Sequence, residues 1–246
     1  MDNTLYVGLS RQMVLKREMD IVANNIANAD TNGFKFESLM TKVTPGAPAF
    51  TLQGPRPVKF VGADGVARDF GQGSLRRTDG PMDLAIEGQG FFKLTTKAGD
   101  RYTRDGHFRT DDTGRLTSQK GDVVADEGGG EITIDPTKPG QISISPDGVV
   151  SQGTERIGKI GVFKFASLSA LEKTGDNLYQ NASNQQATVT TDVKIRQGML
   201  ENSNVNPILQ ITKMIEVNRA YEQISQMISA ETDLSRNSVA RLGRLQ

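Results

Sequence analysis

The apolar positions near both ends of the chain recur with the period of a helix that packs along one stripe. In the N-terminal segment they are spaced by four, three and four residues, at Leu15, Met19, Val22 and Ile26. In the C-terminal segment the same alternation runs through Met214, Val217, Tyr221, Ile224 and Ile228. This spacing is typical of a coiled-coil seam. Each stripe therefore needs a partner helix to cover it.

The flanking residues indicate where these two helices begin and end. The first starts at Asp2 or Asn3, either of which can cap it, and it stops near residue 28 because Asp30, Asn32 and Gly33 disfavour a helix. The second starts with Asn206 as the cap and Pro207 as the first helical residue. At 1.5 Å per residue the helices span roughly 39 Å and 54 Å. Such lengths predict that segments 1–30 and 207–246 pair with each other as one discontinuous assembly domain.

The middle of the chain has a different pattern. Residues 31–80 contain four prolines between short apolar pieces, which predicts an extended connector that can hold one hairpin. Residues 81–193 alternate short β-rich runs with turn dipeptides, so we expect an antiparallel β domain followed by a return connector over 194–206. The β-rich runs are 84–86, 91–95, 132–134, 141–144 and 157–165. The predicted fold class is α+β, with a coiled-coil-like helical domain and a β-rich central domain.

Composition and charge exclude several classes of partner. Apolar residues make up 36% of the chain and there is no Trp, which disfavours a single bulky core. The 29 basic and 29 acidic residues balance, so there is no electrostatic footprint for nucleic acid. No stretch is long and apolar enough to span a bilayer. Charged residues occupy the place where a cleaved signal peptide has its apolar region, which leaves a cytosolic protein or export without cleavage. The absence of Cys is compatible with either compartment.

The polar motifs do not predict a cofactor or a metal site. Gly88-Gln89-Gly90 precedes a strand-like run rather than the helix that a phosphate loop requires, so a turn or bulge is expected there. His107 is the single histidine, which removes a two-histidine metal site, and we expect it to be exposed. The run 111–114 lacks the alternating ligands of a calcium loop and is interpreted as a hairpin tip.

An enzyme that cleaves a polysaccharide would need two carboxylates at a defined separation. Asp83 and Glu87 are the nearest acidic pair in a structured segment. On an extended strand they would lie roughly 13 Å apart, which is too far for either hydrolytic geometry. The sequence therefore disfavours an enzyme. A secreted β-type binding module is a further alternative, although it would not explain the paired terminal helices.

Four segments together resemble the rod and hook family of the bacterial flagellum, and the resemblance extends over essentially the whole chain. They are ANNIANADTNGFK (23–35), DGPMDLAIEGQGFF (79–92), YTRDGHFRTDDTGRL (102–116) and GMLENSNVNPILQITKMIEVNRAYE (198–222). The opening run, the modest length and the ending RLGRLQ are most similar to the proximal rod branch of the family. A distal rod or hook-type paralogue is the alternative.

The resemblance implies a structural protein of the basal body. Such a protein would be exported by the flagellar type III apparatus without a cleaved signal, and would polymerise in the periplasm into a hollow shaft with the terminal helices innermost. The implied partners are further copies of the chain, other rod proteins and the export apparatus, with no nucleic acid and no transmembrane segment. The expected interface residues are those of the two stripes together with Asn24, Asn25, Asn28 and Arg219.

Two interpretations of these residues stay open at the level of sequence. The three asparagines either bond across a subunit contact or are polar residues at a frayed helix end. Four residues of the second helix either pack between subunits or lie in an ordinary helix pair, and both interpretations predict burial. They are Met214, Ile215, Arg219 and Tyr221.

Overall fold

The computed structural model describes residues 2–51, 54–135, 137–138 and 140–242. The chain divides into two compact units. Unit 1 comprises Met1–Ala27, Phe36–Asp69 and Asn206–Gln246, and unit 2 comprises Asn28–Lys35 and Phe70–Val205. Both chain ends therefore contribute to unit 1. The five-part division proposed above, with its boundaries at 30, 80, 193 and 206, remains a prediction.

Unit 1 is built from two helices and one β-hairpin. Helix α1 spans Asp2–Ala27 and helix α2 spans Pro207–Leu242. Strands β1 (Glu37–Thr51) and β2 (Gly54–Arg68) pair antiparallel. In the described residues of unit 1, both helices come from the ends of the chain, in agreement with the α+β prediction. Supercoiling of the helices remains a prediction.

The hairpin occupies the proline-containing segment that the sequence predicts as a connector. Proline lacks the N–H that a central strand must donate, so it is confined to edges and bulges. In a two-stranded ribbon each strand has one unpaired side, where a missing N–H breaks no pairing, and Pro45 lies opposite Lys59 in the register. Pro48 falls at a register shift between Gly46 and Ala49. The prolines are therefore compatible with a ribbon, although they would break a wider sheet.

Helix α2 begins as the sequence predicts. The Asn206 side-chain oxygen accepts hydrogen bonds from the backbone N–H groups of Ile208 (3.1 Å) and Leu209 (3.3 Å). These donors would otherwise lack a partner at the start of the helix.

We expect Asn206→Ala to lower the free energy of unfolding by about 1 kcal/mol, because these donors lose their acceptor. Asn206→Ser should stay within about 0.3 kcal/mol of the native chain. Urea unfolding followed by the helical circular dichroism signal measures both. Identical midpoints for the two variants would contradict a role for the cap.

Unit 2 is formed by short strands. Their bounds are β3 (Leu75–Arg77), β4 (Leu84–Glu87), β5 (Phe91–Thr96), β6 (Gly99–Thr103), β7 (Phe108–Thr110), β8 (Leu116–Ser118), β9 (Val123–Val124), β10 (Ile142–Ile144), β11 (Val149–Gln152), β12 (Glu155–Lys159), β13 (Val162–Lys164), β14 (Leu171–Gly175), β15 (Leu178–Asn181), β16 (Thr188–Val189), β17 (Lys194–Gln197) and β18 (Met199–Glu201). A single 3₁₀ turn, Leu168–Ala170, precedes β14 among the described residues. Every strand pairing is antiparallel.

The main sheet has nine strands. Its path is β14-β15-β6-β5-β9-β8-β7, and β13 joins it through β5 and carries β16. Strands β10, β11 and β12 form a separate sheet, and the pairs β17-β4 and β18-β3 complete the unit. The pair β18-β3 contains Glu201.

Two side-chain clusters form the core of unit 2. The first is largely aliphatic and includes Leu84, Ile86, Leu94, Leu116, Val124, Ile132, Val150, Ile160 and Ile195. The second is aromatic, comprising Phe91, Tyr102, Phe163, Phe165 and Tyr179 with Leu171. Rings in the aromatic cluster meet edge to face, as Tyr102 and Phe165 do at 4.7 Å between centroids. Two moderate clusters rather than one large core agree with the modest apolar content.

Most of the predicted β runs are confirmed. Two runs differ from the prediction. The run 157–165 is divided between β12 and β13, which belong to different sheets, and in 132–134 only Thr133 forms an isolated bridge. Leu116 donates its N–H to the Ile132 carbonyl, while the Ile134 N–H bonds to Gly114 and Glu131 pairs with Ala125. The segment 132–134 therefore lies antiparallel to residues 114–116, around the Arg115–Thr133 bridge, while the adjacent Glu131 contacts Ala125. Each pairing is limited to an isolated bridge and forms no strand.

The polar motifs are structural. Strand β5 follows Gly88-Gln89-Gly90 directly, as expected. Asp111 lies in the hairpin tip between β7 and β8, where the Thr113 hydroxyl, the Arg115 guanidinium and two backbone N–H groups hold the pKa of its carboxyl at about 2. His107 is 45% exposed, and its Nδ1 lies 2.6 Å from Asp83 Oδ1.

The two acidic residues that a hydrolytic site would use have different partners. Asp83 pairs with His107, and Glu87 lies 2.7 Å from Arg196 Nε. Within the described part of the chain, no group of three or more His, Asp or Glu residues could hold a metal ion. Among the same residues, no helix has the length and apolarity needed to cross a membrane.

Candidate assembly surface

The two predicted stripes lie in unit 1, where α1 and α2 pack against each other. In α1, Leu15 and Val22 are buried and Met19 and Ile26 are half-buried. In α2, Val217 is buried, and the half-buried stripe members are Met214, Tyr221, Ile224 and Ile228. Arg219 is exposed. The stripe residues of both helices are thus buried or half-buried.

Three contacts show how the helices run. A Cβ placed on Gly8 would lie 3.1 Å from Ile228 Cγ1, so the helices approach closely there. Glu18 pairs with Lys213 at 3.1 Å, and Asn25 contacts Gln210. As the number rises in α1 it falls in α2, so the helices are antiparallel.

Asn25 is a fully buried polar residue of unit 1. Its Nδ2 donates to the Glu37 carbonyl at 2.7 Å and to Gln210 Oε1 at 3.3 Å. Its Oδ1 accepts from the Glu37 N–H at 3.0 Å. One side chain therefore ties α1 to the start of β1 and to the first turn of α2.

The other two asparagines lie differently. Asn24 is exposed on α1, and Asn28 is half-buried in unit 2, where its side-chain oxygen lies 3.2 Å from the Thr31 hydroxyl that donates to it. The sequence could not separate the three residues. Helical phase separates Asn24 from Asn25, because Asn25 shares the packed side of α1 with Val22, and Asn28 lies beyond the end of α1.

Each helix carries a second apolar stripe that its packing in unit 1 leaves exposed. On α1 the exposed stripe is Tyr6, Leu9 and Met13, and on α2 it is Ile208, Ile211 and Ile215. Met13 is 66% exposed and Ile208 is 73% exposed. Both sets have the spacing i, i+3, i+7, which places three side chains on one face of a helix. Single exposed apolar residues are ordinary, but two such aligned sets form faces that need cover.

A groove of about 320 Å³ lies within unit 1, lined by residues of both helices and of the hairpin. Its apolar lining consists of Ile21, Val22, Phe36, Leu39 and Leu209. The charged residues Glu18, Glu37 and Lys213 also line it, and all three are held in ion pairs. The exposed stripes and the groove provide apolar surface for packing against another protein.

Three family models match the chain. The model described as "Flagella basal body rod protein" matches residues 5–35, and "Flagellar hook protein FlgE/F/G D1 domain" matches residues 85–152. "Flagellar basal body rod FlgEFG protein C-terminal" matches residues 196–242. The matches include both terminal helices and much of unit 2.

Curated relatives match over the full length. The flagellar basal-body rod protein FlgF of Caulobacter vibrioides is 54% identical over 245 residues, which cover 100% of both chains. FlgF of Mesorhizobium japonicum is 34% identical over 249 residues, with 99% of each chain covered. The chain belongs to the family of flagellar basal-body rod proteins.

Within that family the chain is more similar to one member than to another. The rod protein FlgG of Caulobacter vibrioides is 33% identical over 246 residues, covering 90% of this chain and 91% of that protein. The FlgF protein of the same organism is 54% identical. The chain is therefore a flagellar rod protein that resembles FlgF more than FlgG, as the sequence motifs predict.

Proposed function

We propose that this chain is a structural subunit of the proximal rod of the flagellar basal body. In this proposal it is exported by the flagellar type III apparatus without a cleaved signal peptide. It then polymerises in the periplasm with further copies and with other rod proteins into a hollow drive shaft. Its role is mechanical, and we assign it no catalytic function and no cofactor.

The observation that carries the proposal is the pair of exposed stripes on the terminal helices. Each terminal helix uses one face against the other helix and still presents three aligned apolar side chains to solvent. Burying the exposed part of such a side chain contributes about 1 kcal/mol, so the six together favour association appreciably. A contact between different faces of successive copies generates a ring or a helical fibre.

The stripes predicted from sequence have a different proposed role. Leu15, Met19, Val22 and Ile26, with their counterparts on α2, hold the helix pair together and so present the outer faces correctly. Asn25 sets the start of the hairpin against both helices. Asn24, Asn28 and Arg219 remain proposed contacts to neighbouring subunits.

The proposal can be tested on the exposed stripe of α2. Ile211→Glu should leave the free energy of unfolding within about 0.5 kcal/mol, because the side chain is already exposed. Incorporation into isolated basal bodies should fall at least about tenfold, because a charge would be buried at the contact. Urea unfolding and immunoblots of purified basal bodies measure the two effects.

Gln223→Glu is the matched control, since it places the same residue at another exposed position of α2. It should incorporate like the native chain. Normal incorporation of Ile211→Glu would refute the role assigned to this stripe.

The alternative positions within the shaft are separable genetically. Greater identity to FlgF than to FlgG supports the proximal assignment. We expect the chain to restore motility to a Caulobacter strain that lacks FlgF and not to one that lacks FlgG. The opposite result would favour a distal or hook-type paralogue. A binding module would be indicated if the chain were never recovered with basal bodies.

A further inference from the structure

Unit 2 contains a buried cluster of three charged side chains. Lys35 Nζ lies 2.6 Å from Glu201 Oε1, and both side chains are fully buried. Arg104, which is 3% exposed, places Nη1 3.4 Å from Glu201 Oε2. Lys35 also donates to the Gly71 carbonyl at 2.7 Å, and Gly73 N–H donates to Glu201 Oε1 at 3.0 Å. Burial lowers the pKa of the Arg104 guanidinium, and nearby Glu201 opposes that shift.

Lys35 belongs to a short segment that follows helix α1. Gly33 donates its N–H to the Glu201 carbonyl at 2.7 Å. Phe34 is buried, and the Lys173 ammonium lies 4.4 Å from the centre of its ring. The segment 33–35 is therefore inserted into unit 2 by its backbone as well as by its side chains.

Glu201 belongs to the segment that precedes helix α2. Strand β18 pairs with β3, with Glu201 opposite Leu75. Asn202 donates its N–H to the Ser74 carbonyl at 2.9 Å, and Asn204 donates to the Phe34 carbonyl at 3.4 Å. The segments that follow α1 and precede α2 thus contact each other at the charged cluster.

Each of the two segments needs the other in order to stay docked, because their buried charges compensate each other. A carboxylate removed from water is tolerated only when cations and hydrogen bonds compensate it. Among the described residues, Lys35 is the cation that hydrogen-bonds Glu201, whereas Arg104 interacts only through its charge. If the segment carrying Lys35 leaves, Glu201 is strongly undercompensated and is driven toward water. Departure of Glu201 has the same effect on Lys35.

We propose that the Lys35–Glu201–Arg104 cluster is a latch that makes residues 28–35 and 199–205 dock onto unit 2 and release from it as one step. The β core does not take part in the opening. These segments adjoin the terminal helices along the chain. An event that releases the segment next to one helix therefore also releases the segment next to the other. This inference concerns the free chain and does not depend on the proposed function.

The test is native-state hydrogen exchange on the full-length chain in low concentrations of guanidinium. The amides of Gly33 and Asn202 report the two segments, and the Ala125 amide, which bonds to Lys93 O at 2.9 Å, reports the core. In the native chain Gly33 and Asn202 should exchange through the same opening, which occurs more readily than the opening that exposes Ala125.

Two variants at the cluster and one control variant test whether the charges couple the two segments. Lys35→Met should accelerate exchange at Gly33 and Asn202 by the same factor, about 100-fold or more, with Ala125 changed by less than about threefold. Lys35→Met combined with Glu201→Leu should recover part of the protection, because the Lys35 and Glu201 charges are then both absent. Arg104 loses its carboxylate but keeps its hydrogen bonds to the Ile86 and Gly88 carbonyls. Lys138→Met breaks an exposed ion pair with Glu155 and should change none of these amides appreciably.

Two outcomes would overturn the latch. In the first, Gly33 is accelerated while Asn202 keeps its protection, so that the segments open separately. In the second, Ala125 is accelerated together with both, so that the cluster only stabilises the whole unit. If Lys35→Met does not fold, the guanidinium dependence of the native chain distinguishes the same alternatives.

Discussion

Gly33→Ala is expected to lower the free energy of unfolding by about 4 kcal/mol. Gly33 has a φ of 67°, in the left-handed region that other residues rarely adopt. A Cβ at this position would also lie 2.5 Å from the Asp105 nitrogen and 2.6 Å from the Arg104 carbonyl carbon. Both atoms belong to the backbone and cannot move aside as a side chain can.

The effect of the close approach can be separated from that of φ by a second glycine. Gly121 has a φ of 92°, but a Cβ there would meet no heavy atom within 4 Å. We expect Gly121→Ala to lower the free energy of unfolding by only about 1–2 kcal/mol. Urea unfolding of both variants gives the comparison. Equal losses would show that the contact with Arg104 and Asp105 contributes nothing.

Asn25→Leu should lower the stability of unit 1 by about 3 kcal/mol. The substitution keeps the approximate size of the side chain and removes all three of its hydrogen bonds. The N–H and C=O groups of Glu37 and the amide of Gln210 then lose their partner, and buried groups left in this way cost about 1–3 kcal/mol each unless water reaches them.

The helical circular dichroism signal monitors this loss, because α1 and α2 are the α-helices of the described chain and both belong to unit 1. The midpoint of urea unfolding at that signal should fall. Asn218→Leu is the control, since Asn218 is an exposed residue of α2 whose amide bonds only Glu222 in the described contacts. Its effect should stay within about 0.5 kcal/mol. Equal midpoints for the two variants would contradict the role of Asn25.

The hairpin shows what local signals leave undecided. Pro45, Pro48, Pro55 and Pro57 suggest a connector, because proline interrupts an ordinary sheet. Whether a proline is tolerated depends on how many neighbours its strand has. That number is a property of the folded chain, and here it is one.

The buried polar residues show a second limit of local pattern. Asn25 is one of three asparagines within five positions, and the sequence alone does not tell which of them is buried. Lys35 and Glu201 are distant in sequence, and each is an ordinary charged residue in its local context. No short-range rule predicts that the two meet in a dry interior, since charged residues are mostly exposed.

The sequence by itself determined the features that depend on neighbours within a few positions. These are the two amphipathic helices, the Asn206 cap, the end of the first helix before Gly33, the turns between strands and the motifs of the rod family. Only the tertiary structure decided which asparagine is buried, which apolar stripe is covered and which stays exposed, and that Lys35 meets Glu201. The physical reason is that burial and charge compensation depend on segments far apart in the chain, whose approach is set by packing rather than by local conformational preference.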